Sequence, residues 1–186
     1  MPLVDRQSIV NNFWSSDLPS EYKLWAILDG ARDDRIYSAV TYLAREKYCL
    51  YRGKLALELA VTAPYLVQLE RDDALFNYLI QLGWGNSWGI FLRARQTGEE
   101  LRRHFRRFLV VQDESGKRLI FRYYDPRVLR VYLPTCLATE LQMIFRGVER
   151  LLIEAEDPTE MLGYSLTGKT LTTKRLQLGI ASGETK

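Results

Sequence analysis

The sequence predicts an α/β fold, a mixed β-sheet flanked by helices with a small C-terminal helical part. Three observations predict it. Leu24-Trp25-Ala26-Ile27-Leu28 is a short continuous apolar run closed by Asp29-Gly30, the pattern of a central strand buried on both faces. From Asp33 the spacing turns helical, with Ile36, Tyr37, Val40, Leu43 and Ala44 on one face, so a strand is followed by a helix. After Asp125 helical spacing returns, and Leu137, Leu141, Ile144 and Phe145 share a face that Gly147 closes.

The remaining elements follow in order. Residues 3–14 form a short amphipathic helix or an ordered arm, and Asp17, Pro19 and Ser20 mark a loop. Asp33 and Asp34 sit in the first turn of the first long helix, with Arg45 and Lys47 near its end, as the helix dipole favours. Residues 48–51 read as a second strand, 55–60 fit helix and strand equally, and 65–69 read as a strand after Pro64. Asp72 is placed to cap a helix carrying Leu75, Phe76, Leu79 and Ile80, with Gly83 as its stop. A strand over 88–94 comes next. Thr97 and Glu100 then form a capping box for a helix with Leu101, Phe105 and Phe108 as its buried stripe. Residues 109–112 and 118–124 are expected to pair as a hairpin through Asp113-Glu114-Ser115-Gly116. Strands are expected over 148–155 and 161–166, and the polar tail from Gly168 is expected to be loose.

Composition bounds the function. The chain has 186 residues, 47% of them apolar and 26% charged, enough for one well-buried core. No repeat or linker divides it, so residues 1–186 are expected to form one domain: a sheet-containing lobe over 20–125, a helical part over 126–147, and late strands with the tail over 148–186. No run approaches the roughly 20 apolar residues that cross a bilayer. The opening MPLVDRQSIVNNFW lacks the basic start and apolar centre of a signal peptide, so a cytoplasmic location without membrane contact is expected. Cys49 and Cys136 lie far apart in apolar surroundings with no histidine beside them, and read as buried free thiols. A net charge of +3 permits nucleic-acid binding without arguing for it.

Several constellations invite a chemical reading. Gly85-Asn86-Ser87-Trp88-Gly89 matches the G-x-S-x-G nucleophile elbow, which needs a strand before the serine and a helix after it. Here a helix precedes and a strand follows, and the one histidine, His104, has no Asp between it and Ser87 to complete the usual order. A serine hydrolase is therefore the weaker alternative, and a glycine-rich turn the plainer reading. His104, beside the apolar stripe of its helix, is expected at the surface or partly buried; with no second histidine, no metal is expected. The loop also lacks the Gly-Lys-Ser/Thr ending of a phosphate cradle, so no cofactor is expected. Arg102, Arg103, Arg106 and Arg107 on the outer face of that helix can neutralise phosphates, which makes a nucleic-acid-binding module the other alternative. Glu99 and Glu100 flank them, and exposed helix faces are commonly charged. Asp29 has no assigned local role, because an Asp at a strand end before Gly is either a turn former or a site residue.

The segment 119–134, LIFRYYDPRVLRVYLP, compresses a strand, a corner and a helix start. Asp125 has the side chain of an N-cap and Pro126 sits at the first helical position, where its missing N–H leaves no helix bond unmade. Arg122, Tyr123, Tyr124, Asp125 and Arg127 crowd this corner, and arginine and tyrosine suit a binding surface. The competing reading is an internal network of Arg122, Asp125 and Asp29 that holds the sheet and the helical part together.

Residues 24–31 (LWAILDGA), 63–69 (APYLVQL), Trp88-Gly89-Ile90 and 121–129 (FRYYDPRVL) together resemble, in that order, the adaptor-chaperone family of bacterial type VI secretion. The likeness spans roughly residues 20–155, and Asp125-Pro126-Arg127 is its most telling part. It implies a non-enzymatic protein, monomeric when free. Its partners would be a toxic effector protein and the valine-glycine-repeat spike protein onto which the effector is loaded.

Overall fold

The structure is a computed structural model and describes residues 4–14, 19, 21–53 and 55–180. Asp17 and Ser20 of the expected loop lie outside the described residues, as do Leu3 and residues 181–186. The elements in chain order are α1 (Arg6–Phe13), β1 (Lys23–Asp29), α2 (Asp34–Leu43), β2 (Lys47–Cys49), α3 (Leu57–Val61), β3 (Pro64–Leu69), α4 (Ala74–Tyr78), β4 (Gly89–Ala94), α5 (Gly98–Phe105), β5 (Val110–Gln112), β6 (Arg118–Ile120), α6 (Pro126–Tyr132), α7 (Ala138–Ile144), β7 (Val148–Glu154), β8 (Glu160–Thr167) and β9 (Thr170–Gln177).

The α/β expectation holds. A seven-stranded sheet runs in the order β2-β3-β1-β4-β7-β8-β9, each pair antiparallel, and β5 and β6 form a separate two-stranded ribbon. β1 lies inside the sheet between β3 and β4, and helices cover both of its faces. Trp25 and Ile27 point into one apolar cluster with Leu101, Phe105, Leu129 and Leu141 of α5, α6 and α7. Leu24, Ala26 and Leu28 point into a second cluster with Val10, Phe13, Ile36 and Phe76 of α1, α2 and α4. Burial on both faces removes the polar alternation a one-sided strand would show, which is why β1 is an unbroken apolar run.

Capping explains several boundaries. Asp33 accepts the Arg35 N–H at the start of α2, Thr97 and Glu100 close a reciprocal box at α5, and Asp125 accepts the Arg127 N–H at α6. The cap of α4 is Asp73, not Asp72: Asp73 accepts the Phe76 N–H, while Asp72 takes a left-handed backbone with φ of 63°. Beyond α4 the chain widens into a π-helical segment at Leu79–Gly83, so the expected single helix is two short pieces. The ambiguous stretch after Leu55 is helical as α3.

Two expectations need correction. The strand expected over 118–124 stops at Ile120, and Tyr123 and Tyr124 lie in a turn closed by the Asp125 N–H donating to the Arg122 carbonyl at 3.0 Å. Both tyrosines enter the same core cluster, whereas consecutive strand residues would face opposite ways. The tail from Gly168 is not loose over 170–177: β9 pairs with β8 along its whole length, from Thr170 opposite Thr167 to Gln177 opposite Glu160. The strands expected over 148–155 and 161–166 join the main sheet, β7 pairing with β4 and β8 with β7.

Candidate functional site

The site is built where β1 and β7 end. Both strands are antiparallel to β4, which lies between them, so they run in the same direction and their last residues, Asp29 and Glu154, reach the same edge of the sheet. Asp29 follows Trp25 and Ile27 in strand alternation and therefore faces the α5–α7 side. Its N–H donates to the Trp88 carbonyl at 2.8 Å. The turn after it is pressed tight: a Cβ at Gly30 would lie 2.5 Å from the Ala63 carbonyl oxygen.

From the opposite side comes the 122–127 corner. Arg122 donates from Nε to Asp29 Oδ2 at 3.1 Å and from Nη2 to the same oxygen, and the Ala31 N–H donates to Oδ1 at 3.2 Å. Asp29 has no solvent exposure, whereas the Arg122 side chain is 41% exposed. Burial pushes the Asp29 carboxyl above its ordinary 3.8, and the Arg122 contacts only partly oppose it. Arg122 itself is held more firmly protonated by the Asp29 bond.

Asp125 and Arg127 repeat the arrangement one step along. Arg127 donates from Nε to Oδ1 at 3.0 Å and from Nη2 to Oδ2 at 2.6 Å, a two-pronged pair, while its backbone N–H uses Oδ1 for the helix cap. The carboxylate is 4% exposed and the guanidinium side chain 47%. Burial raises the Asp125 carboxyl, but the Arg127 bonds more than reverse this and it titrates below 3.8. Two half-exposed arginines are thus each anchored on a buried carboxylate.

Glu154 completes the edge. It accepts the Gly85 N–H at 2.6 Å on Oε2, and the Ser87 N–H at 2.8 Å and hydroxyl at 2.9 Å on Oε1. Its backbone carbonyl accepts Arg130 Nη1 from α6 at 2.9 Å. Burial raises its carboxyl above 4.5, opposed first by the Gly85 bond. Glu154 and Arg130 were not singled out from sequence. The available signal was two expected strands, 24–28 and 148–155, each with an acid at its carboxyl end; topology alone makes those ends neighbours.

Of the six residues expected to bind a partner, the structure gathers all six at this corner but gives them different parts. Arg122 and Arg127 reach solvent. Asp29 and Asp125 are buried anchors. Tyr123 and Tyr124 are 5% and 1% exposed, and Tyr123 donates its hydroxyl to the Phe105 carbonyl at 3.0 Å, so both brace the corner from inside instead of offering contact surface.

The other constellations resolve as follows. Ser87 is buried, has φ of 57°, and spends its hydroxyl on Glu154. His104 is buried, not at the surface: Nε2 lies 2.9 Å from the Ile144 carbonyl and Nδ1 3.3 Å from Arg107 Nη2, and burial holds the ring below its ordinary 6.5. That pair of contacts fits a neutral ring with its proton on Nε2. The arginine stripe is divided. Arg102 pairs with Glu99 at 3.2 Å, and Arg106 turns inward to donate to the carbonyls of Cys49, Leu50 and Tyr51. Arg103 and Arg107 remain exposed. Cys49 and Cys136 are free thiols, half-buried. Among the described residues no cluster of three or more His, Cys, Asp or Glu side chains is arranged to hold a metal ion, and no helix is long and apolar enough to cross a membrane.

The family described as Domain of unknown function (DUF4123) matches residues 24–143, which run from β1 to α7 and include the whole Asp125 corner. A glycine–tRNA ligase of Clostridium tetani is 33% identical over 108 residues, 56% of this chain but 19% of the ligase, so the chain spans under a fifth of that relative's length. No solved structure matches.

Proposed function

Since the chain belongs to the family described as Domain of unknown function (DUF4123), we propose that it acts as the adaptor its sequence resembles, a non-enzymatic cytoplasmic protein that binds a toxic effector and helps load it onto a valine-glycine-repeat spike. The observation that carries the reading is the pair of half-exposed arginines, Arg122 and Arg127, each held by a buried carboxylate inside the matched segment. A guanidinium fixed in this way loses little rotamer freedom when it meets a partner, so more of the contact energy appears as affinity. It also keeps donors free for a second acceptor, because neither aspartate engages all five N–H groups. The edge carries no spare base: Asp29, Asp125 and Glu154 each accept bonds from groups that hold them in place, which suits a scaffold better than proton transfer.

Affinity purification of the tagged chain from its native host, followed by mass spectrometry, tests the reading. The expected result is recovery of one large toxin together with a spike protein, and loss of the toxin when Arg122→Ala and Arg127→Ala are combined in a chain that still melts cooperatively. Recovery of neither protein would overturn the adaptor reading. Undiminished recovery with the double variant would overturn the role of the corner.

A further inference from the structure

A second surface lies beside the corner. Between the β5–β6 ribbon and the stretch that carries Leu50, Tyr51, Arg52 and Leu55 runs an open groove of about 630 Å³. Val110, Arg118 and Ile120 form one wall; they share a face of the ribbon, since Val110 pairs with Ile120 and Gln112 with Arg118. Leu50, Tyr51 and Leu55 form the other. Ile120 is 61% exposed and Val110 42%, on a ribbon whose outer strand edges pair with nothing among the described residues. Exposed aliphatic side chains along an open strand edge are a surface that proteins normally cover.

The charge of the groove is one-sided. Arg52, Arg106, Arg107 and Arg118 line it, and among the described residues no carboxylate does. Arg106 donates to the Cys49 and Leu50 carbonyls at 3.0 Å and to the Tyr51 carbonyl at 2.5 Å. Its hydrogen bonds are met by neutral oxygens, so its positive charge is left to the groove. The ribbon turn carries two acids, Glu114 and Asp113, the latter accepting the Ser115 N–H and hydroxyl and the Lys117 N–H, and neither is among the residues that line the groove.

We infer that this groove takes an extended acidic segment of a partner protein, one in which Asp or Glu alternates with aliphatic residues. Alternation is what a lining of arginines set among aliphatic side chains favours. A strand laid along the ribbon edge sends successive side chains to opposite sides, and its own N–H and C=O groups bond to the open edge. Nucleic acid fits less well: stacking platforms for bases are aromatic, and Tyr51 is the one ring among the groove's lining residues. The inference rests on the reading that the chain binds another protein, but not on which protein.

The test is selection from a displayed library of random dodecapeptides with the full chain as bait. Enriched peptides are expected to interleave Asp or Glu with Val, Ile or Leu. Their affinity should fall about tenfold or more on combining Arg52→Glu with Arg118→Glu, and selection on that charge-reversed chain should enrich Lys and Arg instead. Arg52 and Arg118 are exposed, and near-ultraviolet circular dichroism verifies that the variant is folded. Absence of an acidic bias, an acidic bias that survives charge reversal, or single-stranded RNA displacing the selected peptides at equal concentration would each overturn the inference. The library does not ask about secretion, so these failures are separable from failure of the adaptor reading.

Discussion

Asp29 is a carboxylate with no solvent exposure whose charge is answered by one guanidinium that is itself 41% exposed. The asymmetry decides what each substitution does. Arg122→Ala leaves a buried charge still met by the Ala31 N–H, and is expected to cost about 1–3 kcal/mol at neutral pH, the lower half being favoured because solvent already screens the arginine. The cost must depend on pH, and its sign follows from linkage. The Asp29 carboxyl is already raised by burial, and Arg122 is the main influence lowering it, so removing Arg122 raises it further. A folded-state value above the unfolded one contributes stability that is present below the unfolded value and lost as pH rises through the folded value. The variant therefore suffers most near neutrality and approaches the wild type as pH falls toward about 4. Urea unfolding of both chains across that range measures it. A penalty that is constant or grows on acidification would show that Asp29 is not the group left exposed to the loss.

At the scale of elements, most of the order was legible in the sequence, and the reasons are local. The apolar run of β1, the capping box of α5 and the Asp125-Pro126 start of α6 are each specified by residues that touch. The misplaced boundaries arise where tertiary contacts choose between equal local options. In Asp72-Asp73 either carboxylate can cap, and the left-handed backbone at Asp72 hands the role to Asp73. In Phe121-Arg122-Tyr123-Tyr124 the pattern suits a strand, yet the Phe105 carbonyl and the core claim both tyrosines and the chain turns. The site was legible to the same degree. The six residues singled out from sequence come together, but Glu154 and Arg130 were missed, and the division into exposed arginines and buried supports depends on which strand ends become neighbours. Asp125 also has two duties, since Oδ1 serves both the α6 cap and Arg127. Asp125→Ala is accordingly expected to lose about 1–2 kcal/mol by thermal or chemical unfolding, at the upper end for a cap, and to free Arg127. Asp125→Asn retains an oxygen for the cap and should recover most of the stability but not the two-pronged arginine pair. Equal losses in both variants would show that the ion pair, not the cap, carries the stability.

For the whole molecule, the telling element is β9, the strand that sequence alone assigns to a loose tail. Thr170-Leu171-Thr172-Thr173-Lys174-Arg175-Leu176-Gln177 is mostly exposed, so it lacks the apolar alternation by which half-buried strands are recognised. Its role lies in its backbone and its far end. It pairs with β8 through eight registered positions, Leu178 is buried and its N–H donates to the Thr159 carbonyl, and Gly179 accepts the Asp5 N–H at 2.7 Å beside the start of α1. The strand thus closes the sheet edge and ties it to α1, which packs Ile9, Val10 and Phe13 against the sheet. Ending the chain after Gly168 removes all of these contacts at once and leaves β8, with Met161 and Tyr164, as a bare edge. The truncated chain is expected to melt at least about 10 °C lower than the full chain, or to lose its cooperative transition, and to bind more of a hydrophobic dye. Loss should extend to the α1 side of the sheet, visible as faster amide exchange at Ile9 and Val10, because α1 loses its Gly179 tether. A truncated chain that melts like the full one, with those amides still protected, would return β9 to the loose tail its composition suggests.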